Sequence, residues 1–167
     1  MTSGRPTISA IALLASLPFF LLAGAVSAAS AGTVSGSTAL ALAGVVAPLS
    51  PVLPSAEKRA VAMLFAANSN IPYTNKIVVT ADKIVCRTSN VDITAHSCEL
   101  TFGKTVKTIN GRAANELFAT EAMAGVASDN AAGSIFESLS KLKCTIDPLL
   151  IKEKGGGGAE CSWEAAK

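Results

Sequence analysis

Hydrophobic and polar residues divide the chain into an apolar leader, a segment of small residues and a region of regular alternation. Residues 8–26 are almost wholly apolar, follow a polar start that carries the cation Arg5, and precede small residues. A positive start, an apolar middle and a small-residue exit are typical of a secretory signal peptide. The pattern predicts a signal peptide at residues 1–28, with cleavage after residue 28 or 31.

An uncleaved membrane anchor is the alternative interpretation, because the apolar run approaches the roughly 20 residues that span a bilayer. Pro18 and Gly24 interrupt the run, however, and no basic cluster follows it. Cleavage is therefore favoured, and no membrane span is expected after leader removal.

Residues 29–54 form a low-complexity segment of Ala, Ser, Gly, Val and Leu that closes with three prolines. Its apolar patch, Ala39 to Leu49, is too short to cross a membrane. The composition predicts a linker that acts as a flexible tether, although its hydrophobicity leaves open packing on a partner or on the domain. The domain itself is expected at residues 55–167.

Periodicity within residues 55–167 predicts a small α+β domain. Helical spacing is expected over 56–67 and 112–124, and in a third helix that starts at 128–130 and passes into a strand near Leu142. Strand patterns cover 76–80 and 84–88 (one bent strand or a hairpin), 98–102, 105–109, and 159–164 after a flexible glycine loop. The prediction is an antiparallel sheet of four to five strands, with two to three helices on one face.

Four cysteines lie on the apolar faces of these strands, at Cys86, Cys98, Cys144 and Cys161. An even number in an exported domain favours disulfides, and the turn at 90–92 places Cys86 opposite Cys98. Cys144 and Cys161 would join the last two strands in the same way. Zinc is disfavoured because no closely spaced pair of cysteines is present.

The distribution of charged residues argues against some classes of partner. Removing the leader takes away Arg5, so 13 basic and 12 acidic residues remain. Binding to nucleic acid is not expected, because it requires clustered Lys and Arg and the basic residues here are scattered. The densest lysines are interpreted as a solvated face that also contains Glu153; they are Lys141, Lys143, Lys152 and Lys154. No cofactor or metal motif is present.

His96 is the only histidine and hence the one candidate for histidine-dependent catalysis. Its neighbours Asp92 and Ser97 do not form a relay by proximity in sequence, because adjacent strand residues point to opposite faces. Glu121 interrupts the apolar side of its helix, and either is a functional acid or lies at a rim and pairs with a cation. The favoured interpretation of His96 is a packed side chain.

The blocks Cys86–Ile93, Cys98–Leu100 and Cys144–Pro148 resemble a group of small exported bacterial proteins, over roughly residues 76–164. That resemblance implies export, and it indicates no particular activity for this chain. The combination of a helix, antiparallel strands and two disulfides is also similar to cystatin-type inhibitors, but their Gln-x-Val-x-Gly loop is absent.

These patterns predict a periplasmic or secreted protein that is not an enzyme and that binds a protein or small-molecule partner, including as an inhibitor. The alternative is a small extracytoplasmic hydrolase centred on His96, assisted by Asp92 or Glu121. A thiol oxidoreductase is disfavoured because the chain has no C-x-x-C motif.

Overall fold

The structure, a computed structural model, describes residues 31–67, 71–89, 96–125 and 134–165. The predicted signal peptide at 1–28 lies outside these ranges. The strands are β1 Gly32–Ser35, β2 Ile77–Ser89, β3 Ser97–Phe102, β4 Thr105–Asn110, β5 Ser134–Ile146 and β6 Ala159–Ala165. The helices are α1 Ser37–Val46, α2 Ser55–Phe65, α3 Arg112–Met123 and α4 Pro148–Lys154, with short 3₁₀ turns at Ala47–Leu49 and Gly155–Gly158.

The six strands form one antiparallel sheet in the order β1-β6-β5-β2-β3-β4. Strands β2 and β5 are the longest pair and occupy the centre. One face of the sheet is buried under α1 and α3, and α2 packs on α1. The predicted α+β fold is confirmed, with six strands in place of four to five.

Residues 32–49, which lie in the predicted linker, pack on the domain, one of the two roles that their hydrophobicity left open. Glycine and alanine there suggested a linker, but Gly32–Ser35 pairs with β6 and the following residues form α1. A short helix that is apolar nearly all round is stable only where its whole surface is covered. In α1 the buried side chains are Ala39, Leu40, Leu42, Ala43 and Val46.

One phenylalanine of α2 packs on α1 and is nevertheless half exposed. Phe65, at the end of α2, is 53% exposed. Its ring lies over Gly44 of α1, where an added Cβ would come within 3.0 Å of it. Of the other phenylalanines, Phe102 is buried and Phe118 is partly buried. The side chain of Phe136 lies outside the described residues.

The helix predicted from residue 128 is wrong over residues 134–142, which belong to β5. Leu139 and Leu142 are both buried although three residues apart, which is helical spacing. The register of β5 against β6 shifts by one between Ser140 and Lys143, and Lys141 has a positive φ of 51°. An extra residue of this kind is a β-bulge, and it changes the phase of the alternation within one strand.

The alternation of buried and exposed side chains in β2 also shifts by one residue, opposite the bulge of β5. Residues 77–89 therefore form one long strand. Ala81 and Ile84 are both buried and face Leu142 and Leu139 of β5. The residues between them are exposed. The interruption at 81–83 is therefore a bend within a strand and not a hairpin turn.

The segment between β5 and β6 contains a helix that the sequence analysis missed. Asp147 accepts hydrogen bonds through Oδ1 from the backbone N–H groups of Leu149, at 3.1 Å, and Leu150, at 3.2 Å. Pro148 occupies the first helical position, so this Asp-Pro pair begins α4 besides ending β5. The glycine tract follows as a 3₁₀ turn in place of the predicted flexible loop, and a Cβ on Gly158 would meet the backbone oxygen of Asp147 at 2.7 Å.

Both predicted disulfides are confirmed. Cys86 of β2 bonds to Cys98 of β3, and Cys144 of β5 bonds to Cys161 of β6. Each pair lies directly opposite in the register, and all four residues are buried. The Sγ of Cys161 lies 3.3 Å from the carbonyl oxygen of Ala39, so this disulfide also contacts α1.

Candidate functional site

His96, the catalytic candidate of the sequence analysis, is packed in the interior. Its side chain is only 9% exposed, and its ring meets that of Phe118 edge to face with centroids 6.0 Å apart. Its carbonyl oxygen accepts a hydrogen bond of 2.9 Å from the backbone N–H of Gly111. In the described structure its Nδ1 atom is buried without a hydrogen-bond partner. The ring therefore offers little surface to a substrate in solution.

The structure describes only one of the two proposed assistants of His96. Asp92 lies outside the described residues. Glu121 is 1% exposed within α3, so it is not at the rim where an exposed ion pair was expected. Among the described residues, no group of three or more His, Cys, Asp or Glu side chains is placed to hold a metal ion.

The face of the sheet that α1 and α3 do not cover, called the open face, presents polar side chains in an ordered row. In the register, Thr33 of β1 opposes Ser162 of β6, and Ser162 opposes Lys143 of β5. Lys143 in turn opposes Thr80 of β2. Thr33, Thr80 and Lys143 are exposed, and Ser162 is half-buried. We call these four residues the transverse row.

An open cleft of about 560 Å³ lies over one end of this row. It is lined by Thr33, Ser162 and Lys143 of the row, by Lys141 and Glu164, and by the edge formed by Gly32 and Trp163. Gly32 packs directly on the indole, since an added Cβ would approach Trp163 Cζ2 to 2.6 Å. Gly32 also opposes Trp163 in the register, so this contact belongs to the β1–β6 pair.

The two lysines of the cleft differ in their electrostatic partners. Lys141 Nζ lies 2.9 Å from Glu164 Oε2 and 3.1 Å from Oε1, so this carboxylate balances its charge. Lys143 makes no ion pair with the parts of the chain that the structure describes. The row thus has an ammonium group with hydroxyl groups on both sides of it.

Part of this row could be predicted from the sequence. Alternation placed Cys144 and Cys161 on the apolar faces of their strands, which leaves the adjacent Lys143 and Ser162 outward, as the structure shows. The lysines, however, were interpreted as an ordinary solvated face. The row depends on the pairing of four strands, and Thr33 lies in a segment that was predicted to be a tether. Nothing in the sequence around Thr33 distinguishes it from the rest of that segment.

A second, smaller cavity lies between α2 and the segment that precedes β2. It has a volume of about 190 Å³ and is lined chiefly by Arg59, Ala60, Met63, Ile71 and Tyr73. The Tyr73 hydroxyl donates a hydrogen bond of 3.0 Å to Glu57 Oε1. Partial burial, followed by this hydrogen bond and the charge of Glu57, raises the pKa of Tyr73 above its ordinary value of 10.0.

Ultraviolet titration is expected to show this shift directly, because Tyr73 is the only tyrosine in the chain. The folded protein holds the phenolic proton more tightly than the unfolded chain. Tyr73 therefore contributes stability below its unfolded pKa, and this contribution is lost as pH rises through its folded pKa. The substitution E57Q should move the phenolate absorbance transition to lower pH.

The matched control is E153Q, which removes an exposed carboxylate from α4. It should leave the Tyr73 transition where it is in the wild type. Coincident transitions in wild type and E57Q would contradict the assignment of Glu57 as a cause of the raised pKa.

Two further findings bear on function. Within the described ranges, no helix is both long and apolar enough to cross a membrane. Comparison of the chain with protein-family models, curated proteins and solved structures gives no match. Functional inference therefore rests on the geometry of the sheet.

Proposed function

We propose that this chain is an exported, non-catalytic protein that binds a partner through the open face of its sheet. The observation that carries the proposal is the contrast between the two faces. One is packed by helices, and the other presents the transverse row and its cleft. Residues 1–28 direct export in this proposal, and the protein works in the periplasm or outside the cell.

The two disulfides support the compartment. Disulfides persist in oxidising environments and are rare in the reducing cytosol. Both are buried and join neighbouring strands of the sheet. This arrangement is typical of structural bridges in small exported domains, whose limited cores need additional stabilisation.

The disulfide between β5 and β6 also supports the role of the open face. Cys144 follows Lys143, and Cys161 precedes Ser162, so the covalent bridge lies directly behind the paired Lys143 and Ser162. Side chains on adjacent positions of a strand point to opposite faces. The bridge therefore fixes the register of the binding residues from the covered side, which pre-organises them.

The competing hypothesis, a hydrolase centred on His96, fits the geometry less well. A general base must come within hydrogen-bond distance of the proton it takes from a substrate. The His96 ring is covered and packs on Phe118, and the open cleft is lined by residues of β1, β5 and β6. The cleft and the histidine therefore do not form one site.

A capture experiment with charge-reversal variants tests the proposal. The mature, oxidised protein is immobilised and exposed to envelope extract, alongside K143E and the matched control K104E, whose lysine lies in the β3–β4 turn. A specific partner should be retained by wild type and K104E and lost by K143E. Equal retention by all three would place binding elsewhere. Turnover in a broad hydrolase screen that disappears in H96A would overturn the non-catalytic assignment.

A further inference from the structure

We infer that the transverse row is a binding site for an oxyanion, the carboxylate or phosphate group of a small ligand, centred on Lys143. This inference rests on the proposed function, because it assigns a ligand chemistry to the same open face. The groups that meet on the row are three hydroxyls and one ammonium, all of which donate hydrogen bonds. A carboxylate or phosphate oxygen accepts them.

The spacing of the row suits a small ligand. Directly opposed residues of antiparallel strands have Cβ atoms about 4.5–5.5 Å apart. The four residues of the row lie on four adjacent strands, so the row extends over about 15 Å. Ser162 and Thr80 flank Lys143 on its two sides. Hydroxyl-bearing residues therefore lie on both strands that neighbour Lys143.

The charges of the surface favour an anion at this position. Glu164 forms an ion pair with Lys141, so the charges of these two residues balance each other. The next outward carboxylate along β6, Glu160, opposes Thr145 in the register and makes no ion pair with Lys143 in the described structure. Lys143 therefore keeps an exposed positive charge that a ligand can balance.

The β-bulge at Lys141 contributes to this arrangement. Its φ of 51° is unfavourable for a residue with a side chain, and such conformations often occur at binding sites. Bulges commonly redirect a side chain beside a functional site. Here the bulged residue is the lysine that binds Glu164, and both residues line the open cleft.

Nuclear magnetic resonance titration tests the inference. The mature, oxidised, ¹⁵N-labelled protein is titrated with inorganic phosphate and, separately, with acetate, with chloride used to keep the ionic strength constant. Saturable amide shifts are expected at Thr33, Thr80, Lys143 and Ser162. The probe that binds more tightly distinguishes a phosphate ligand from a carboxylate ligand.

Three variants test whether anion binding depends on Lys143. K143Q should weaken binding about tenfold, which corresponds to the loss of one charge-assisted hydrogen bond. The matched control is K107Q, an exposed lysine on the edge strand β4, and it should bind as wild type does. Removing the nearby negative charge in E160Q should tighten binding several-fold.

Two outcomes would overturn the inference. One is equal affinity of wild type and K143Q. The other is a set of shifts spread evenly over the exposed lysines, Lys104 and Lys107 included, which indicates nonspecific screening. Neither result affects the conclusion of the capture experiment. If K143E loses a partner there, the wild-type protein binds that partner through its open face by chemistry other than oxyanion binding. Failure of the oxyanion site and failure of the proposed function are thus distinguishable.

Discussion

The double substitution C144A/C161A is expected to lower the free energy of unfolding by about 3 kcal/mol. The bridge closes a chain segment with a sequence separation of 17 residues, and removing it restores conformational freedom to the unfolded chain. Both sulfur atoms are buried, and Cys161 touches α1, so packing is lost as well. The effect is large relative to the 5–15 kcal/mol that is typical of a whole domain (about 0.05–0.15 kcal/mol per residue).

Denaturant unfolding followed by circular dichroism measures this change. The matched control is T145A/E160A, the neighbouring pair of the same two strands on the open face. It should change stability by less than about 1 kcal/mol, since both side chains lie on the solvent side. Equal effects of the two double variants would show that the bridge does not stabilise the β5–β6 pair.

Pairing of the cysteines could be predicted because it depends on local information. Alternation placed each cysteine on the apolar face, and the turn predicted at 90–92 placed Cys86 opposite Cys98. The strands β3, β4 and β6 and the helices α2 and α3 were likewise recognisable from their own residues. Each has a regular period along most of its length.

The central strand β5 could not be recognised in this way. Its bulge places Leu139 and Leu142 on one face with a spacing of three, which is the signature of a helix. The spacing becomes interpretable only beside β2, where Ala81 and Ile84 show the same change of phase. A long-range pairing, and not the local pattern, determines the conformation of this segment.

The candidate binding site was unpredictable for a related reason. Lys143 and Ser162 were correctly placed outward, but a row across four strands requires the register of every pair. Thr33 joins the row only because β1 adds to the edge of β6. The residues of such a site are ordinary in sequence, and only their alignment distinguishes them from a solvated surface.

The substitution L42A tests whether the N-terminal segment belongs to the fold, and it is expected to cost about 3 kcal/mol. Leu42 lies in α1, where it is 0% exposed. That helix packs against α2, α3 and the strands β2, β5 and β6. Truncation to alanine removes apolar contacts and leaves a cavity that the surrounding elements fill only in part.

The matched control is V52A, an apolar truncation in the same composition-biased segment at a side chain that is 73% exposed. It should change the free energy of unfolding by no more than about 0.5 kcal/mol. Equal, small effects of L42A and V52A would mean that residues 29–54 act as a tether after all. A large effect of L42A alone would show that α1 is part of the core, because only a helix held against the sheet loses packing energy when Leu42 is shortened.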